Sequence, residues 1–256
     1  MLKILRLIVL AGVFSALVTG IASAAPIFWT DWTGVDTDPG AGFQGQGTIT
    51  TTTSTVLVTY TNSNGIGFYQ SSGGGFDYWT GGDAATSPYT SALVDNRPPG
   101  TDIIALSQAG TQTLQFSKAI ANPVFGFVSL NGNGYAFDQD FDLLSLGGVD
   151  GNACGYWGCG GATRTVVDIG GGNFEYQLNS SGVGGSEPHG ALRFKGAFDT
   201  VTWRSSSNEY WNGFTVGVQG TAAEVFPDPN AVPEPTTLAL LGLGLAGLGL
   251  ARRKKY

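Results

Sequence analysis

Thr111-Gln112-Thr113-Leu114-Gln115-Phe116 alternates polar and apolar side chains, and a few residues beyond it lies Val124-Phe125-Gly126-Phe127-Val128. The first stretch has the period of two of a strand and puts Leu114 and Phe116 on one face. The second is a dense apolar run, as expected of a central strand covered on both sides. Outward from this pair, from Thr48 to about Val218, short β-branched and aromatic stretches alternate with Gly/Asn/Asp/Ser turns. Further strands are expected at Thr55–Thr61, Gly67–Gln70, Asp102–Ser107, Tyr135–Ser145, Arg164–Ile169, Phe174–Leu178, Ala191–Phe194, Thr200–Arg204 and Phe214–Gln219. The threonine-rich segment Thr48–Thr55 reads as an edge strand running on into Val56-Leu57-Val58. Many short strands at such spacing predict an all-β fold, an antiparallel β-sandwich of jelly-roll type rather than a barrel.

Composition agrees. Charged residues make up only 12% of the chain, and Gly is abundant at 41 of 256 residues. Aromatic residues at 12% argue against disorder. Six Lys/Arg against nineteen Asp/Glu in residues 25–251 leave a net charge of −13, more acidic than the −7 of the whole chain. Such a surface repels phosphate backbones, so nucleic acid is excluded as a partner.

The two ends differ from the middle. Lys3 and Arg6 precede an apolar run from Leu7 to Val18, and Ala22-Ser23-Ala24 supplies a small-x-small site. This is the pattern of a secretory signal peptide, expected to be cleaved after Ala24. The far end reads Pro233-Glu234-Pro235, then a Leu/Ala/Gly stretch to Ala251, then Arg252-Arg253-Lys254-Lys255. Sixteen helical residues from Thr236 span about 24 Å, short of a hydrocarbon core of about 30 Å. Snorkelling of the basic cluster closes such a gap and leaves that cluster cytoplasmic as a stop-transfer tail. The expected organisation is therefore residues 1–24 signal peptide, 25–221 β domain, 222–235 Pro-rich linker, and 236–256 transmembrane sorting helix with basic tail.

The order of Pro233-Glu234-Pro235, apolar helix and terminal Arg/Lys cluster resembles the PEP-CTERM sorting signal of Gram-negative bacteria. The resemblance covers about the last 25 residues. It implies recognition by an exosortase, an inner-membrane intermediate held by the C-terminal helix, and final residence at the cell surface or in the extracellular matrix. It also implies association with exopolysaccharide and biofilm.

Export frames the remaining residues. Cys154 and Cys159, five positions apart, are expected to form a local disulfide in an oxidising compartment. Phe137-Asp138-Gln139-Asp140-Phe141-Asp142 on one strand would put Asp138, Asp140 and Asp142 on a single face. That face is either a solvated surface over a phenylalanine-packed core or a candidate Ca2+ site, the only cofactor the sequence suggests. Trp79 and Trp157 stand in turn-rich contexts and are candidates for stacking on sugar rings. Trp203 and Trp211 belong to expected strands and are assigned to the core. His189, the sole histidine, lies in the turn Glu187-Pro188-His189-Gly190, and no Gly-x-Ser-x-Gly elbow accompanies it. Glu175, Glu187 and Glu209 are candidate carboxylates for glycoside hydrolysis, but nothing in their spacing selects a pair. The expectation is a non-enzymatic surface or matrix protein. The alternatives are a Ca2+-dependent adhesion or carbohydrate-binding module and a secreted glycan-cleaving enzyme.

Overall fold

The computed structural model describes residues 24–34, 36–38, 40–71, 73–181 and 186–227. Among these are fifteen strands and one short helix, arranged as two antiparallel sheets. One sheet runs β10 (Phe141–Leu146), β13 (Gly190–Phe194), β8 (Val124–Val128), β15 (Asn212–Val218), β6 (Ile103–Leu106), β5 (Phe68–Gln70), with β1 (Phe28–Trp29) also on β15. The other runs β11 (Ala162–Gly170), β12 (Asn173–Ser180), β9 (Gly134–Phe137), β14 (Ala197–Ser205), β7 (Gly110–Ala121), β4 (Thr55–Asn62), β3 (Phe43–Thr50), β2 (Asp31–Thr33). The all-β expectation is met.

The opening stretch of sequence explains the layering. In β7, Gln112, Leu114 and Phe116 are buried and their neighbours are not, so one face meets the core. Every residue of β8 is buried. Its Phe125 and Phe127 join the inter-sheet core, which also holds Tyr60, Tyr135, Phe137, Phe194, Trp203 and Phe214. The opposite face of β8 is covered by a second layer. Val124 packs with Ile27, Trp29 and Val94, and Val128 packs with Trp79, Tyr89 and Ile103.

From β7 onward the chain changes sheets at nearly every connection, which sets β7-β14-β9-β12 opposite β8-β13-β10. One such change corrects the sequence reading. Tyr135–Ser145 is not one strand: β9 ends at Phe137 and β10 begins at Phe141 in the other sheet. Residues 137 and 141 are four apart, so a straight strand and a sheet-switching turn both send their rings inward. The two rings lie 5.5 Å apart in the core.

The threonine-rich segment is also different from expectation. Thr50 pairs with Thr55 across a hairpin tip, so residues 51–54 turn rather than extend. Glu224 explains the turn's composition. Its carboxylate accepts hydrogen bonds from the Thr51 hydroxyl (2.7 Å) and from both the amide (3.1 Å) and hydroxyl (2.5 Å) of Thr53. The same side chain completes a capping box with Thr221 at the start of α1 (Ala222–Val225). Residues 222–225, assigned by sequence to the linker, thus dock on the domain.

The described residues include neither end of the chain. The signal-peptide assignment lies outside the described residues except for Ala24, and the sorting helix lies wholly outside them. Among the described residues no helix is long and apolar enough to cross a membrane.

Candidate functional site

Strand direction gathers the described residues of four connections at one end of the sandwich: 129–133, 147–161, 186–189 and 206–211. The registers Ser205 with Tyr135, Asn179 with Gly134, Gly190 with Phe127 and Leu146 with Gly190 place their strand ends together. Between them opens a cavity of about 210 Å³ lined by Ser129, Asn131, Trp157, Glu187, Glu209, Tyr210 and Trp211. Tyr210 and Trp211 are shared with an adjoining hollow of about 460 Å³, whose walls include Phe68 and Tyr78. A larger hollow of about 730 Å³, along Thr90–Asp95 and Leu143–Leu144, has no aromatic residue in its wall.

Asn131 ties two carboxylates together. Its amide N–H donates to Glu209 Oε1 at 3.1 Å and its Nδ2 donates to Glu187 Oε1 at 3.2 Å. The Ser129 hydroxyl donates to Glu187 Oε2, and Asn212 Nδ2 donates to Glu209 Oε2 at 2.9 Å. Ser129 holds a left-handed backbone, φ 59°, which turns the chain out of β8 toward this pair. Burial pushes the Glu209 carboxyl up to about 7; donors from Asn212, Asn131 and Asn133 oppose the rise, and the neighbouring Glu187 charge adds to it.

The aromatic wall is continuous. Tyr78 packs on Trp211 (4.9 Å between centroids), Tyr156 (5.1 Å), Phe68 (5.9 Å) and Phe76 (6.3 Å), and Tyr156 packs on Trp157 (4.9 Å). Trp157 and Tyr156 are each 43% exposed and Tyr210 93%, so ring faces are open to solvent. Aromatic rings presented beside fixed carboxylates suit a ligand with both apolar faces and polar edges, as a sugar has.

His189 fastens this wall. Trp157 N–H donates to its Nε2 at 3.1 Å, and its Nδ1 lies 3.3 Å from the Tyr89 hydroxyl, which is 3.3 Å from the Tyr78 carbonyl oxygen. An acceptor role at Nε2 assigns the proton to Nδ1. The ring is fully buried, and that burial drives its pKa down to about 4. Both ring nitrogens are thereby engaged in positioning the wall, away from any serine–histidine chemistry. Gly155 packs flat against the ring, where a Cβ would collide with it.

The Cys154–Cys159 disulfide closes the loop that carries Tyr156 and Trp157. A loop this short is worth about 2 kcal/mol in the chain-entropy model. Replacing both cysteines by serine is expected to lower urea-unfolding stability by no more than that. The indole fluorescence of the folded protein should change as Trp157 loosens; an unchanged emission spectrum would count against the loop's role in holding Trp157.

The structure sorts the candidates. Trp157 lines the cavity. Trp79 does not: it is fully buried, its indole N–H donates to the Asp102 carbonyl oxygen at 3.1 Å, and it covers the outer face of β8. Trp203 is in the core as expected, whereas Trp211 is on the cavity wall instead. Glu187 and Glu209 are brought together, and Glu175 is elsewhere, 2.9 Å from Arg204.

Asp138, Asp140 and Asp142 lie at the opposite end of the sandwich, divided by the sheet change. Asp138 accepts from Thr202 N–H at 3.0 Å, and Asp140 pairs with Arg164 and Lys195. Asp142 pairs with Lys195 at 2.9 Å and Arg193 at 3.7 Å. Arg and Lys occupy the side on which a cation was expected, and no metal-type cluster occurs among the described residues. Tyr156, Tyr210, Ser129 and Asn131 were not assigned by sequence. The one available signal was the pairing of Tyr with Trp in two turns, Tyr156-Trp157 and Tyr210-Trp211.

Residues 231–255 match the family model described as the PEP-CTERM protein-sorting motif. No curated protein and no solved structure matches the chain. The chain is thus an all-β protein bearing an exosortase sorting signal. It is an exported, exosortase-processed protein, with Pro233, Glu234 and Pro235 and the basic cluster Arg252–Lys255 inside the matched segment.

Proposed function

We propose that the exported β domain is a non-enzymatic polysaccharide-binding module that holds the protein in exopolysaccharide at the cell surface or in the extracellular matrix. The carrying observation is the solvent-open aromatic wall beside a half-buried carboxylate pair. On this reading Trp157 and Tyr156 stack on sugar rings, and Glu187, Glu209 and Asn131 accept or donate hydrogen bonds at their edges. The alternation of strands between β7-β14-β9-β12 and β8-β13-β10 supports a jelly-roll, with ligand-binding loops at one end of the two sheets.

Polysaccharide pulldown and calorimetry with the purified protein test the reading. Trp157→Ala is expected to weaken binding about tenfold, as loss of one stacked aromatic face worth about 1 kcal/mol or more implies. Undiminished binding by this variant would remove the aromatic wall from the account. The raised pKa of Glu209 favours a second reading, a glycan-cleaving enzyme using the pair as acid and base. Release of reducing ends, abolished in Glu209→Gln while binding persists, would replace the first reading by this one.

A further inference from the structure

We infer that β11 is a self-association edge: two copies of this chain pair their β11 strands antiparallel about Val166, joining two eight-stranded sheets into one. The pairing does not depend on the glycan-binding reading. Where each copy does bind polysaccharide, it makes that binding bivalent.

The two sheets end in β5, β10, β2 and β11. An edge strand offers a row of N–H and C=O groups as a template for another strand, and natural edges are blunted by shortness, bulges, charge or cover. β2 and β5 have three residues each. β10 is interrupted by a register shift between Leu143 and Ser145, and its Asp142 pairs with Arg193 and Lys195. β11 has nine residues, and from Thr165 to Gly170 every one is exposed. No strand among the described residues pairs with its outer edge. Val166 and Val167 point to opposite faces and are 44% and 37% exposed, so neither face is covered. With Ile169 and Phe174, the β11–β12 hairpin holds four of the eleven exposed large hydrophobic residues described, a concentration that marks an interaction surface.

Charge along the strand says which occupant fits. When a second copy runs antiparallel, residues equidistant from Val166 meet: Val166 faces Val166, Thr165 faces Val167, and Arg164 faces Asp168. Opposite charges therefore stand together twice, once on each side of the two-fold axis, and cross-strand pairs of this kind stabilise a sheet. Arg164 already pairs with Asp140 of its own copy, but a guanidinium has five donors. In-register parallel pairing would set like charges opposite each other instead. A shift by two residues would leave Arg164 and Asp168 facing no opposite charge. The register shift between Asp168 and Gly170 ends the regular strand just beyond this run. Thr165, Val166 and Val167 are all β-branched, as suits a pairing strand. The rest of the domain is strongly acidic and repels its own copies, whereas the Arg164–Asp168 strip is neutral and complementary to itself.

The test is sedimentation of the full-length protein in non-ionic detergent across about 1–100 μM, the range suited to an interface below standard size. A monomer–dimer equilibrium is expected. Asp168→Arg sets like charges opposite each other at both ends of the run and should weaken the dimer about tenfold or more. Cross-linking tests the register independently. Val166→Cys brings two thiols together on the two-fold axis, at a Cα separation of about 4.5–5.5 Å that a disulfide can span. It should give a covalent dimer on a non-reducing gel. Thr163→Cys, equally exposed and equally able to exchange with the native disulfide, sits about 20 Å from its counterpart and should not. A protein that stays monomeric throughout would overturn the inference, as it would if another segment of the same chain covers β11. A dimer indifferent to Asp168→Arg would overturn it by assigning association to another surface or to the sorting helix. Equal cross-linking at positions 163 and 166 would overturn the register and with it the proposal.

Discussion

Replacing Phe125 by alanine is expected to lower stability by about 3–5 kcal/mol in urea unfolding. Phe125 is fully buried and its ring meets those of Tyr135, Phe137, Phe194, Trp203 and Phe214, the last stacked at 5.0 Å with an interplanar angle of 4°. These partners come from both sheets, so truncation opens a void at the centre of the sandwich rather than at its margin. The neighbours are themselves rigid rings held by further rings, which limits collapse into the space. A domain with a total stability of about 5–15 kcal/mol would lose a large share of it. β8 leads directly into Ser129 and Asn131, so the same variant should also bind glycan less tightly. A loss below about 1 kcal/mol would show that the core is not organised around this ring.

The second large effect is a pH dependence that one substitution exposes. His189 has a pKa of about 4 in the fold against 6.5 ordinarily. Protonation is therefore disfavoured in the fold, where Nε2–H would face the Trp157 N–H. Its stabilising contribution is complete above pH 6.5 and disappears as pH falls from 6.5 to 4, a difference of about 3 kcal/mol.

Glu209 has the opposite sign. With its pKa raised from 4.5 to about 7, it contributes stability below pH 4.5 and loses it as pH rises to 7. After allowance for its partial exposure this is about 2 kcal/mol. Between pH 4.5 and 6.5 the two nearly cancel. Glu209→Gln removes one of them, so the variant should exceed the native protein by about 2 kcal/mol at pH 7.5. The excess should vanish by pH 4.5, leaving a stability that rises with pH. Urea unfolding of both proteins across this range decides the matter; parallel curves would show that Glu209 ionises normally in the fold.

How much of this was legible beforehand varies residue by residue. Strand identity was, because alternation in β7 and apolar density in β8 follow from how side chains leave an extended backbone. The break between β9 and β10 was not. An even spacing of Phe137 and Phe141 satisfies both a continuous strand and a turn, and so Asp138, which meets Thr202, was grouped with Asp140 and Asp142, which meet at Lys195. Trp79 and Trp157 looked alike in sequence, each directly after a tyrosine and with a glycine within two positions. One covers the back of β8 and the other lines the cavity, because the segment 73–102 folds over a sheet while the disulfide loop projects from its end.

What the sequence by itself determined is local or linear. It specified the β class, the Cys154–Cys159 bridge across five positions, and the sorting signal, which is read as a linear address. Only the tertiary structure decided the site. Glu187 and Glu209 lie 22 residues apart on different connections, and Asn131 comes from a third. Their meeting depends on strands that repeatedly change sheets and return their loops to one end of the sandwich. No local pattern encodes such a meeting, since it is enforced by burial of the aromatic core between the sheets.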